Sequence, residues 1–406
     1  MILYSFKIGH LHQHSSKWIL LLLCFCSCTS FSVVAQERCG VHLIPSNKEY
    51  SIVRNDHLAQ SRNSSFYIPV VFHVFTISGQ MPISEFVMQE QLDILNENYN
   101  QLNAPSTLYT EARNVAADPN ISFYLAEEDP FGRSTTGILY YYTDDLSLGN
   151  IDQQGGPRKV KNGSLGGADA WNTTKYLNIW VTPRDDGILG DSSFPKTNRP
   201  NEDGVVIKTE IVGYQSKSER FGMGKTLVHE IGHFLGLRHP FGSAELCLDN
   251  DNIEDTPIQE RAYFGCPVHP QESCGSQDLI YNFMDFHDDI CLRFFTQGQV
   301  DFMHHILNTC RSELIENSGP MPSSGNQLEN IITYYNGTQV LTYDPTFRPL
   351  DLQISIYDIT GRFLASHISS EEIVSRISAS AYSSGIYLIH IENENDYVTR
   401  KIFISN

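Results

Sequence analysis

The chain reads as an α/β (α+β) domain, a twisted mixed sheet with one histidine-bearing helix, followed by a small all-β sandwich. Three observations predict this. A β-branched and aromatic run, Phe66 to Ile77, is followed by an amphipathic stretch, Ser84 to Leu102. A segment with metal-ligand spacing begins at His229 and shows helical apolar periodicity. Beyond a Gly/Pro/Ser-rich break near 317–326, the residues fall into short strand-like runs.

The 406 residues exceed one ordinary domain. Lys7 and Lys17, the apolar run Trp18 to Phe25, and Val33-Val34-Ala35 have the form of an export signal, residues 1–35. The run is too short for a stable membrane span, which takes about 20 residues. Removing it takes two lysines and no acid, so the net charge moves from −19 to −21. That sign argues against nucleic acid or an anionic membrane surface as partner. A polar, poorly periodic arm, 36–62, reads as a propeptide. Next come 63–316, a linker at 317–332 and the C-terminal unit at 333–406.

Within the first large unit, Phe66 to Ile77 is a strand and the Ser84 stretch a helix whose start Ser84 marks. Ile121 to Leu125, Tyr176 to Thr182 and Gly204 to Ile207 are further short strands between turn clusters. In the last unit, Leu352 to Tyr357, Ile386 to Ile391 and Val398 to Ser405 are strands, with Thr360-Gly361 and Ser383-Ser384-Gly385 at turns.

The stretch from His229 to His239 fits H-E-x-x-H-x-x-G-x-x-H. His229 and His233, one helical turn apart, leave the same face and can hold one ion. Gly236 lets the chain turn so that His239 returns as third ligand. Three neutral imidazoles leave a fourth position open, the mark of a catalytic zinc. Glu230 stands where it can take a proton from water held there, so Glu230-assisted attack of that water on a peptide bond is the expected chemistry. A metal-free core helix is the bland alternative, but a chance match to five fixed positions in this chain is on the order of one in ten thousand.

With these motifs, the sequence resembles the metzincin clan and, within it, the pappalysin family of metallopeptidases. The resemblance covers about 66–315. It rests on Phe66 to Val74, Leu177 to Val181, Gly187-Ile188-Leu189-Gly190 with Phe194-Pro195, Asp203 to Ile207, Asp255-Thr256-Pro257, Gly265-Cys266-Pro267, Asn282-Phe283-Met284-Asp285 and Phe295 to Gln299. It implies a secreted zinc endopeptidase acting on extracellular proteins or peptides, with Met284 as the methionine turn beneath the zinc. It also implies disulfides Cys247–Cys274 and Cys266–Cys291, and an upper-rim strand from Leu189 to Phe194 whose Leu189 and Gly190 pair with extended substrate. The acids Asp249, Asp251, Glu254 and Asp255, with Thr256, suit calcium, which the resemblance supports. Asp288 and Asp289 follow the methionine turn; Asp289 is a candidate substrate-pocket residue that would favour a basic side chain after the scissile bond.

One position departs from the family. Two residues after Met284 a tyrosine is usual, and here it is Phe286, which offers no hydroxyl. A non-catalytic zinc-containing binding or adhesion protein is the rival reading that follows. Cys39, in Arg38-Cys39-Gly40, is either a latency switch in a zymogen or half of a bridge to Cys310. The C-terminal unit resembles the sorting domain of proteins exported by the type IX system of Bacteroidetes. It does so through Ile354 to Arg362, Gly385 to Ile391 and Val398 to Ile402. That implies a bacterial, secreted or cell-surface protein that meets the secretion machinery through this domain.

Overall fold

A computed structural model describes residues 37–39, 65–101, 108–152, 154–214, 220–242, 246–316, 328, 331–335, 338–343, 350–372, 374–393 and 397–404. The expected export signal, nearly all of the expected propeptide and most of the linker lie outside the described residues.

The first unit is built on a seven-stranded mixed sheet. In chain order its strands are β1 (Glu37–Cys39), β2 (Phe66–Ile77), β4 (Ile121–Leu125), β5 (Ile138–Thr143), β6 (Leu177–Thr182), β7 (Ile188–Ser192) and β8 (Val205–Lys208). The two-residue β3 (Ala116–Ala117) stands apart. Spatially the order is β1-β7-β8-β6-β2-β4, with β5 also on β2. β2 is parallel to β4 over its first half, to β5 over its second, and to β6. Covered on both faces, it reads as an almost unbroken apolar run. β7 alone runs antiparallel to its inner neighbour β8, and on its other side β1 pairs with it in parallel.

Helix α1 (Glu85–Tyr99) starts where expected, with the Ser84 hydroxyl accepting the Val87 amide at 3.3 Å. It ends at Tyr99, short of Leu102, because Asn100 caps it and also donates to the Ile121 carbonyl of β4. The Tyr99 hydroxyl donates to the Val228 carbonyl at 3.0 Å, fixing α1 against α3 (Lys225–Phe234). The short α2 (Thr110–Val115) precedes β3. All ten residues of α3 are buried.

Beyond α3, β9 (Glu272–Ser273) and β10 (Ser276–Gln277) form a small hairpin. The next strand, β11 (Phe295–Thr296), pairs with β3 and leads into α4 (Gln297–Asn308), then α5 (Ser312–Glu316). The sequence reading did not include α4, although its capping box, Thr296 with Gln299, is a readable start signal.

The C-terminal unit has two sheets. One is β12 (Ile332–Tyr335), β13 (Gln339–Tyr343) and β16 (Val374–Ser378); the other is β15 (Phe363–Glu372), β14 (Leu350–Asp358), β17 (Gly385–Glu392) and β18 (Tyr397–Ile404). Val340 from the first joins Ile354, Ile356, Ile389, Ile391 and Ile404 from the second in one core, as a sandwich requires. This core is separate from the one that packs α1 and α3 on the large sheet.

Candidate active site

Three imidazoles converge on one point. His229 and His233 leave the same side of α3, and the chain then reverses through Gly236 at φ +91°. The reversal is closed by Gly236 N–H to the His233 carbonyl, 2.8 Å, and Leu237 N–H to the Gly232 carbonyl, 2.9 Å. This pair of bonds is the Schellman arrangement, which favours glycine at the left-handed position. It brings His239 back, so that the three Nε2 atoms lie 3.0–3.2 Å from one another.

The contact between His229 and His233 is not a hydrogen bond in the ordinary sense. His229 Nδ1 faces the Phe283 carbonyl and His233 Nδ1 the Leu237 carbonyl, each at 2.7 Å. A carbonyl only accepts, so both Nδ1 atoms carry the proton and both Nε2 atoms present lone pairs to the shared point. The His229 and His233 nitrogens, buried and 3.1 Å apart, then face each other lone pair to lone pair and repel unless a cation sits among the three rings. Tetrahedral zinc at ~2.0–2.1 Å from each nitrogen would set them about 3.3 Å apart, close to what is found. The residues therefore fit the metal that the spacing predicts.

Glu230 is fully buried beside this point. Gly190 of β7 lies so close that a Cβ there would stand 2.7 Å from Glu230 Cγ. Leu189 is buried in the core, and Phe194, expected in the same strand, follows its end and meets the His233 ring edge-on at 5.5 Å. Gly190→Ala is expected to lower kcat on peptides about 10²-fold by displacing Glu230. Steady-state kinetics with an unchanged metal content would check it.

Met284 is buried directly under α3, and a side chain at Gly232 would collide with its sulfur. Asn282 positions this turn by accepting the Met284 amide and pairing with Gln299 in the first turn of α4. Asp285, also buried, accepts the Phe286 and Tyr263 amides and the Gln259 side-chain amide. The sequence reading gave none of Gln259, Asn282, Asp285 and Gln299 a role, because the partners that tie them to other segments are 17 to 26 residues away.

Phe286 packs against His239, ring centroids 4.8 Å apart, and against Phe241. The neighbouring tyrosine hydroxyls are directed elsewhere, Tyr263 to Asp278 and Tyr281 to the Pro267 carbonyl. His287 is buried with Nε2 3.3 Å from Asp285.

Cys39 is completely buried among Phe241, Phe286 and Phe194, in register with Gly190. Its sulfur and the three histidine nitrogens lie within 4.8 Å of one another, and Sγ donates to Glu230 Oε2 at 3.6 Å. It is not joined to Cys310. Among the described residues this is the only such group of metal-ligating side chains. The disulfides Cys247–Cys274 and Cys266–Cys291 are both formed.

The remaining expected site residues have partners of their own within the protein. Asp289 is buried, and its carboxylate accepts the Met223 and Lys225 amides at 2.9 and 3.2 Å. It thus supplies the start of α3 with the acceptor that the N-cap Gly224 lacks. Asp288 pairs with Arg220 at 2.8 Å. In the loop expected to take calcium, Thr256 donates its hydroxyl to Asp251, whose carboxyl is pushed up to about 7 by burial. Asp255 turns away to accept the Thr296 hydroxyl and the Gly298 amide at the start of α4. Asp249 accepts the Asn250 amide. The carboxylates of Asp249, Asp251 and Asp255 thus each accept from protein donors.

Comparison with known proteins agrees with this geometry. Residues 164–308 match the peptidase M43 family, described as Pregnancy-associated plasma protein-A, and 337–405 match the Secretion system C-terminal sorting domain. An extracellular metalloprotease of Arthroderma gypseum is 32% identical over 68% of this chain and 85% of its own length. One from Pyricularia oryzae is 30% identical over 70% and 93%. Among solved structures, mature mirolysin of Tannerella forsythia in complex with a cleaved peptide aligns with TM-score 0.58 and 35% identity. That alignment covers 64% of this chain and all of the mirolysin chain. Tannerella forsythia promirolysin aligns with TM-score 0.58 and 34% identity, over 65% and 91%.

Proposed function

Given that the chain belongs to the pappalysin-type M43 family of metallopeptidases and carries a secretion sorting domain, we propose that it is an exported zinc endopeptidase made as a latent zymogen. The observation that carries this reading is the convergence of three Nε2 atoms beside Glu230, with two of the rings oriented by backbone carbonyls.

Zinc bound there would polarise the scissile carbonyl and make water acidic enough to attack near neutral pH. Glu230 takes the proton of that water and passes it to the leaving amine. Gly190 keeps the edge of β7 close enough for an extended peptide to lie against Glu230. Residues 1–35 serve as export signal, 36–62 as prosegment, 63–316 as catalytic unit, and 333–406 as the sorting domain that meets the secretion machinery. The experiment is hydrolysis of gelatin or a peptide library by processed protein with and without chelator. Chelator-sensitive cleavage supports the reading, and its absence shifts it to a zinc-containing binding protein.

Phe286 is the one observation favouring that second reading. A missing hydroxyl donor costs about 10²-fold in rate, which weakens an enzyme without abolishing one.

Two finer features belong to the same proposal. If Asp289 underlies the pocket after the scissile bond, Arg and Lys are preferred there. Equal cleavage before Arg, Lys and Leu in the library would remove it. Calcium at Asp249, Asp251, Asp255 and Thr256 is expected to raise the melting temperature at millimolar concentration. A melt unchanged by calcium, and unchanged again in Asp251→Asn, would count against it.

A further inference from the structure

Three side chains outside the metal centre tie the end of α3 to the chain that leaves β7. Arg311, between α4 and α5, lays its guanidinium on the Phe234 ring at 3.4 Å, and its Nε donates to the Phe234 carbonyl at 2.8 Å. Phe234 is the last residue of α3. The same guanidinium grips both oxygens of Asp203, at 2.6 and 3.1 Å. Asp203 Oδ1 accepts the Ser193 hydroxyl at 2.6 Å, and Ser193 Oγ accepts the Gly204 amide at 2.7 Å. Ser193 directly follows β7 and precedes Phe194, whose ring rests on His233.

The Arg311 and Asp203 side chains are only 5% and 11% exposed. A two-pronged, desolvated pair is directional as well as strong, so it fixes orientation and not only proximity. A pair serving stability alone has no need to join these particular pieces. This one joins the helix that holds His229, Glu230 and His233 to the strand against which a peptide would lie.

We propose that Arg311, Asp203 and Ser193 form a positioning relay for peptide hydrolysis, setting the spacing between the metal-binding helix and the substrate strand. The proposal rests on the reading of β7 as that strand. None of the three touches the reacting atoms; they act through Phe234, Phe194 and β7.

The test uses processed wild type, Ser193→Ala, Asp203→Asn, Arg311→Lys and the double variant Ser193→Ala/Arg311→Lys. Metal content, melting temperature, kcat and KM are measured with an extended peptide and with the shortest peptide cleaved. Each single change is expected to keep the metal and to lower kcat/KM for the extended peptide about tenfold. The short peptide should lose less than about twofold. Lysine cannot reproduce the fork and is not expected to rescue. Because the residues act as one unit, the double variant should lose no more than the worse single one. Multiplying losses, equal losses on both peptides, or a lowered melting temperature with unchanged kcat/KM would each overturn the relay. Ser193→Ala removes one hydroxyl and decides the matter should the buried variants not fold. Wild type lacking chelator-sensitive cleavage would overturn the proposed function, and the relay with it.

Discussion

Glu230→Ala is expected to lower kcat on a peptide substrate by roughly 10²–10⁴-fold, the usual range for loss of a positioned general base, while the processed protein keeps its metal. The two halves of that expectation come from different parts of the site. Metal retention depends on His229, His233 and His239, whose rings are aimed by the Phe283 and Leu237 carbonyls and by the Gly236 turn, none of which involves the Glu230 side chain. Proton transfer has no evident substitute. Tyr263 and Tyr281 spend their hydroxyls on Asp278 and Pro267, and the ring nearest His239 from the methionine turn is that of Phe286. Parallel measurement of kcat and metal stoichiometry checks it. Loss of metal would assign Glu230 a structural part in the centre, and full activity would remove it from the chemistry.

What the sequence made legible follows the range of the interactions. The zinc motif spans eleven residues, and its ligands are related by helix geometry and one glycine, so His229 to His239 could be placed with no knowledge of the rest. The long parallel strand β2 and the capped helix α1 were likewise readable, because burial on both faces and the Ser84 cap each leave a local mark. Asp289 shows the limit. Two acids after a methionine turn look like a charged pocket, but a helix capped by glycine, whose first residue Lys225 lies 64 residues earlier, needs an acceptor at its start. Nothing in the local pattern distinguishes those uses. Asp255 repeats the lesson, its carboxylate being taken by the start of α4, 43 residues on. Strand β1 was invisible for a different reason. Glu37-Arg38-Cys39 has no strand periodicity of its own and becomes a strand only because β7 presents an unpaired edge.

That edge is also why Cys39→Ala in the full-length chain is expected to raise activity without processing. β1 occupies the pairing groups of β7, in register at Ile188 and Gly190, which on the proposed reading an extended substrate would need. The thiol is completely buried, within 4.8 Å of the histidine nitrogens and 3.6 Å from Glu230 Oε2, so on the proposed zymogen reading it would block the metal position and the general base together. Sulfur is a soft donor well suited to zinc, and a docked thiolate would leave no place for water. Alanine removes the ligand that anchors β1, leaving only three residues of strand pairing to hold it on the β7 edge, which a substrate can displace. The unprocessed wild type is therefore expected to cleave about 10²-fold more slowly than the processed enzyme, because losing the water-binding position is at least as costly as losing one transition-state donor. Cys39→Ala should recover much of that difference. A thiol reagent provides a second readout. Cys39 should resist alkylation in the metal-loaded zymogen and react once chelator is added, with Cys310→Ser as background to leave Cys39 the sole thiol outside the two disulfides of the exported chain. Equal latency in Cys39→Ala and wild type would assign the block to β1 pairing alone, and rapid alkylation of the loaded zymogen would place the sulfur away from the metal.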